Sequence, residues 1–232
     1  MAFDWSPYRA VLFDVDGTIA ETEGEGHLPA FNRVFQEFQM PWRWTTADYA
    51  QLLTVTGGFE RMCAYAASVG DPITLSEAGR EKLRRAHQRK NQVYAEMLQS
   101  GLILPRHGFV ELIAQLTSDE LPWAVVTTTS LSNWQALWEY AVKPAGRVTP
   151  PVLAVCGEDV ERKKPDPQAY QQAVARLGLL PEQCIAIEDS QNGLAAARGA
   201  GVPSVIVRSQ FFGHHDFPGA IAIVDELSDL LN

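Results

Sequence analysis

The chain has 232 residues, 46% of them hydrophobic, enough for a sizeable core in one large domain or two smaller ones. A formal net charge of −9 and a pI near 5.0 exclude nucleic acid and anionic membrane surfaces as general partners, so a phosphorylated ligand needs a local basic pocket. No apolar run approaches a membrane span, the first nine residues lack signal-peptide regions, and Cys63, Cys156 and Cys184 form no CxxC pair, so a soluble cytoplasmic protein with structural thiols is expected.

The first β-type run, Ala10–Phe13, passes directly into Asp14-Val15-Asp16-Gly17-Thr18. Two carboxylates on alternate residues at a strand end need a cation to join them, although the same residues also describe an ordinary acidic Asp-Gly turn. About a hundred residues with little strand signal follow, with helical patterns at 28–38, 47–53, 59–68 and 76–99. Residues 22–100 are therefore expected to form an inserted helical cap domain, and Gly24-Glu25-Gly26 reads as its hinge. On the last of these helices, Leu83, His87, Lys90 and Tyr94 share one stripe, which reads either as a basic pair for a distal phosphate or as a packing histidine beside a snorkelling lysine.

Beyond the insert, apolar runs at 123–127, 152–155, 184–188, 204–207 and 221–224 alternate with helix-length segments at 109–116, 133–140, 168–177 and 192–200. The alternation predicts a Rossmann-like parallel sheet core, α/β in class, formed by residues 1–21 and 101–232, with a loop at 143–151. In such sheets ligands bind beyond the carboxyl ends of the strands, which gathers Asp14, Asp16, Thr127 and Glu188-Asp189 at one edge. The cleft between core and cap is the expected site. The consecutive hydroxyls Thr127, Thr128, Thr129 and Ser130 suit either a strand end with a helix cap or a phosphate. Lys164, held by Pro165, is a candidate for the base of the site, and the alternative is a solvated Lys163-Lys164 pair.

These residue types support phosphoryl transfer. Asp14, Asp16, Glu188 and Asp189 offer an oxygen-rich site for Mg²⁺, to which Asp16 would contribute its backbone carbonyl. Asp14 would attack phosphorus and Asp16 would serve as acid and base. Thr127 and Lys164 would hold the equatorial oxygens.

Asp14-Val15-Asp16-Gly17-Thr18, Thr127, Lys164-Pro165 and Glu188-Asp189 resemble, in order, the four motifs of the haloacid dehalogenase superfamily, and the insert resembles the β-phosphoglucomutase-like subfamily's cap. Over nearly the whole chain, Glu21-Thr22-Glu23, His27 with Ala30-Phe31-Asn32, Gly57–Met62, His87 with Lys90, Thr127–Ser130 with Asn133, and Glu188–Leu194 are similar to CbbY-type xylulose-1,5-bisphosphate phosphatases. That resemblance implies Mg²⁺, a small phosphorylated sugar as substrate, a Calvin-cycle role removing a by-product that inhibits Rubisco, and no nucleic-acid or membrane partner; a monomer is expected. It also implies substrate contacts from Glu23, Gly57, Gly58, Phe59, Glu60, Arg61, His87, Lys90, Thr127, Thr128, Thr129, Ser130, Asn133 and Lys164. The chain departs from the pattern in two places: Phe59 stands where such sequences commonly carry Lys, and the Gly-rich stretch before His27 is one residue longer than in some relatives. A β-phosphoglucomutase-type mutase and a non-catalytic phosphosugar-binding protein are the alternatives.

Overall fold

The computed structural model describes residues 3–231. In chain order it contains β1 (Ala10–Phe13), α1 (Leu28–Glu37), α2 (Thr46–Leu52), α3 (Gly58–Ser68), α4 (Glu77–Leu98), α5 (Phe109–Ser118) and β2 (Trp123–Val126). There follow α6 (Leu131–Leu137), α7 (Lys143–Ala145), β3 (Ala154–Val155), α8 (Gln168–Leu177), β4 (Cys184–Glu188), α9 (Gln191–Gly199), β5 (Ser204–Val207) and β6 (Ala222–Val224). The chain divides into two compact units, one built from residues up to Glu21 and from Leu104 onward, the other from Thr22–Ile103.

In the first unit all six strands are parallel, in the order β3-β2-β1-β4-β5-β6. Strands β1, β2, β4 and β5 are buried throughout, as a sheet covered on both faces requires. On one face Ala10, Leu12, Val126 and Ala186 pack with Tyr170 and Ala173 of α8 and Ala196 and Ala197 of α9. The small alanines let both helices approach the sheet closely. On the other face Phe13 meets Phe109 and Trp123 edge-on at 5.7 and 5.8 Å. Each such buried large side chain contributes about 1.5–3 kcal/mol of burial free energy. Removing Phe109 would cost about 3–5 kcal/mol. The central pairs put the ends of β1, β2 and β4 side by side, and the strand order reverses direction at β1, where open α/β sheets bind ligands.

The second unit is helical, and α1 lies along α4. Its core is aromatic: Phe31, Phe35, Trp42, Trp44, Tyr49 and Tyr65 form a chain of rings with centroids 4.8–6.1 Å apart. Two loop expectations and one strand expectation change. Gly24-Glu25-Gly26 is not an open hinge but part of a wide helical turn, Glu23–His27, closed by Leu28 N–H donating to Glu23 O and running on into α1. A turn spanning five residues takes up one residue more than an α-turn, which fits the longer stretch before His27. Helix α6 likewise widens at Trp138–Val142 and continues to Ala145, so only the remainder of 143–151 is loop. Strand β3 is shorter than expected, with Val152 exposed, although Val152 N–H still donates to Trp123 O.

Candidate active site

Each strand end delivers one polar group. The β1 ladder continues past its last residue, since Asp14 N–H donates to Ile187 O at 3.0 Å, and Thr127 N–H donates to Val155 O at 2.9 Å beyond β2. Glu188 closes β4 and Asp189 follows it. Lys164 comes from the loop before α8, where its peptide bond to Pro165 is cis. Its Nζ donates to Asp14 Oδ1 at 2.7 Å, to Val126 O at 2.7 Å and to Glu188 Oε1 at 2.5 Å. The Lys163-Lys164 pair is thus not a solvated one: Lys164 is 3% exposed.

The structure brings together Asp14, Glu188 and Asp189, each offering one oxygen, all within 4.8 Å of one another. One ammonium, that of Lys164, pairs with two of these buried carboxylates, and burial has the largest effect on Asp14 and Asp189. It pushes Asp14 up to about 8; Lys164 opposes the rise and Glu188 adds to it. Asp189 is raised well above the ordinary carboxylate range, chiefly by burial and then by Asp14 and Glu188. For Lys164 burial lowers the pKa, but the two carboxylates more than reverse that and hold it charged.

These residues fit a hard divalent cation. Glu188 Oε1 takes its hydrogen bonds from Lys164 and from the buried Tyr170 hydroxyl, the latter at 2.6 Å. Its other oxygen, Oε2, is buried and has no hydrogen-bond partner among the described residues. Such an orphan carboxylate oxygen is costly without a partner. Gly193 leaves room for it, because a Cβ there would lie 1.8 Å from Oε2.

The other expected site residues are distributed as follows. Asp16 is half-buried two residues beyond Asp14, and its backbone bridges to Ala20. The Thr127 hydroxyl accepts from Thr129 N–H at 3.1 Å, and Asn133 Nδ2 donates to Thr129 Oγ1 at 3.3 Å. Ser130 caps α6 by accepting from Asn133 N–H, and Thr128 is half-buried. The hydroxyl run is therefore both a strand end and a helix cap, and its first hydroxyl lies one residue past Val126, whose carbonyl holds Lys164.

In the helical unit two clusters flank Phe31. Arg61 Nη1 donates to the Tyr49 hydroxyl at 2.7 Å, which donates to Glu23 Oε2 at 2.5 Å; the Arg61–Glu23 separation is 3.9 Å. Lys90 Nζ lies 2.8 Å from His27 Nδ1 and over the Phe31 and Tyr94 rings, while His27 stacks on Tyr94 at 4.1 Å. Lys90 is 3% exposed, so it is a packed cation rather than a snorkelling one. His87 packs against Gly58, which begins α3 after Gly57; Phe59 is half-buried and Glu60 exposed. Sequence reasoning missed Tyr49 and Tyr170 as polar partners, because each lies on an apolar stripe and reads as core.

The haloacid dehalogenase-like hydrolase family matches residues 8–201. The chain belongs to the haloacid dehalogenase-like hydrolases. Protein CbbY of Cereibacter sphaeroides is 38% identical to it over 223 residues, covering 96% of this chain and 94% of that protein. Two crystal structures of CbbY from Rhodobacter sphaeroides match this hydrolase with a TM-score of 0.84 at 33% identity. One, in complex with phosphate, is matched over 96% of both chains; the other, a mutant in complex with xylulose-(1,5)bisphosphate, over 95% of both. With phosphatases among its relatives, this haloacid dehalogenase-like hydrolase is an enzyme of the phosphoric monoester hydrolase class. Among the described residues no helix is long and apolar enough to cross a membrane.

Proposed function

We propose that this hydrolase is a Mg²⁺-dependent sugar bisphosphate phosphatase that converts xylulose-1,5-bisphosphate to xylulose-5-phosphate and phosphate through an aspartyl-phosphate. The observation that carries the reading is the trio Asp14, Glu188 and Asp189 around Lys164, with Glu188 Oε2 left without a partner. The choice of sugar draws on the CbbY relatives, one of which was crystallised with that bisphosphate.

Asp14 and Asp189, the Asp16 backbone carbonyl and Glu188 would hold the metal. When bound, Mg²⁺ supplies the positive charge that offsets the carboxylates and the transferring phosphoryl group. Lys164 fixes the Asp14 carboxylate through Oδ1 and remains charged against the equatorial oxygens. Asp14 attacks phosphorus, the bond from phosphorus to the sugar oxygen breaks, and Asp16 gives that oxygen its proton. Water then attacks the aspartyl-phosphate, Asp16 takes its proton, and the Asp14 carboxylate is regenerated. Thr127, Thr128, Thr129, Ser130, Asn133 and Lys164 line the reacting phosphate. In the helical unit Glu23 and Gly57–Arg61 at the start of α3, with His87 and Lys90, select the sugar and its distal phosphate; the cations Arg61 and Lys90 supply the charge that Phe59 does not.

The enzyme works as a cytoplasmic monomer in a Calvin-cycle setting, clearing a by-product that inhibits Rubisco. Incubation with xylulose-1,5-bisphosphate and Mg²⁺ tests the reading: inorganic phosphate appears in step with xylulose-5-phosphate. A product that keeps both phosphates would instead mark a mutase, and binding without turnover a phosphosugar-binding protein.

A further inference from the structure

Arg106 sits in the loop before α5, with a side chain only 5% exposed. Its Nη1 donates to Gly17 O at 2.8 Å and to Glu21 Oε1 at 3.1 Å. Its Nη2 donates to Arg208 O at 2.7 Å, Asp225 O at 2.8 Å and Glu226 Oε2 at 3.2 Å, and Nε lies 3.4 Å from the same Glu226 oxygen. The backbone grips the same turn: Arg106 N–H donates to Ile19 O at 2.8 Å, and Pro105 bridges Ala20.

Neutralising a buried guanidinium needs carboxylates, and Glu21 and Glu226 provide them. The three main-chain carbonyls do something else. They belong to three separate segments, and a planar fork with five donors fixes the angles between such acceptors in a way a point charge cannot. Two of these segments lead to proposed catalytic groups. Gly17 directly follows Asp16. Arg208 precedes Ser209, which lies with Asp189 against Gly17. The two segments also touch each other with no slack. Gly17 adopts φ +85°, and a Cβ there would lie 2.1 Å from Asp189 Oδ2 and 3.3 Å from Ser209 Cβ.

We propose that Arg106 is a positioning residue for phosphoryl transfer: it locks the turn carrying Asp16 to the end of β5, where Ser209 and Asp189 lie against that turn. The assignment rests on the phosphatase reading above. Arg106 touches neither substrate nor metal; it sets where the acid–base carboxylate stands relative to Asp14.

The test compares Arg106→Lys with Glu226→Gln, at saturating Mg²⁺ and well below either melting temperature, on p-nitrophenyl phosphate and on xylulose-1,5-bisphosphate. Loss of positioning predicts that Arg106→Lys lowers kcat about 10- to 100-fold on both substrates while KM stays within about threefold. Glu226→Gln removes the ion pair at the far end of the guanidinium but leaves the Gly17 carbonyl bonded, so it lowers the melting temperature and keeps kcat within about twofold of wild type. Where Arg106→Lys does not fold, Arg106→Met, uncharged and with no donor for the Gly17 carbonyl, carries the same expectation. An unimpaired kcat in the folded Arg106 variant overturns the assignment. So does a loss of kcat that Glu226→Gln reproduces at equal stability. Wild-type protein inactive on every phosphate ester overturns the phosphatase reading and this assignment with it, whereas active wild type with an unimpaired variant overturns this assignment alone.

Discussion

Lys164 Nζ lies 2.7 Å from Asp14 Oδ1, although 150 residues separate the two in the chain. Both are buried, and the same ammonium also carries Glu188, so Lys164 is the cation that lets these carboxylates share one cavity. Lys164→Met leaves them uncompensated and is expected to destabilise the metal-free protein by about 3–5 kcal/mol above about pH 8, where Asp14 is ionised, with turnover lost. Denaturant unfolding measures this, and the deficit shrinks as acid protonates Asp14. A variant as stable as wild type contradicts the role.

Gly193 is a matter of room rather than of backbone freedom, since a Cβ there would lie 1.8 Å from Glu188 Oε2. Gly193→Ala improves the intrinsic propensity of α9 by about 1 kcal/mol while driving the Glu188 carboxylate aside. The expected outcome is a folded protein whose Mg²⁺ affinity, read by calorimetric titration, is weaker by about tenfold or more. Unchanged affinity would mean that Glu188 does not serve the metal.

Metal-free stability should depend on pH in a defined direction. Asp14 in the folded protein titrates near 8, well above its ordinary value of 3.8, and Asp189 is shifted the same way. Between about pH 4 and pH 8 the folded chain therefore holds protons that the unfolded chain has released, and stability falls as pH rises through that window. Lys164, whose pKa is raised above 10.5, keeps its stabilising charge throughout it. Mg²⁺ needs the carboxylates ionised, so its binding near pH 7 should release protons and flatten the fall. Calorimetry in buffers of different ionisation enthalpy counts those protons; a count of zero is the contrary result.

Phe59, two residues before Arg61 in the first turn of α3, adds no positive charge beside it. Phe59→Lys is expected to lower KM for a sugar bisphosphate several-fold and to leave kcat and the KM for p-nitrophenyl phosphate near wild type. Equal changes for both substrates would place residue 59 outside distal-phosphate recognition.

The parallel sheet was legible because fully buried strands read as short apolar runs, and Asp14, Thr127 and Glu188-Asp189 were legible because each directly follows one. The same logic failed where side chains act across distance. Tyr170 lies on the apolar face of α8, and only the fold puts Glu188 beneath its hydroxyl. Tyr49 looks like one more ring of an aromatic core until Arg61 and Glu23 converge on it. Arg106 carries no signal in the sequence, since nothing in its neighbours announces carbonyls drawn from three distant segments. The glycines at 24 and 26 suggested a hinge because propensity registers their freedom, whereas the Leu28-to-Glu23 hydrogen bond that closes the turn depends on chain geometry.

The most direct test of the central claim is phosphate release from xylulose-1,5-bisphosphate, with Mg²⁺, by wild type and by Asp14→Asn. The account predicts one inorganic phosphate per molecule of xylulose-5-phosphate from the wild type, none after chelation of the metal, and none from a folded Asp14→Asn protein. Release that survives Asp14→Asn contradicts the nucleophile, and a folded, metal-loaded wild type that releases none contradicts the substrate.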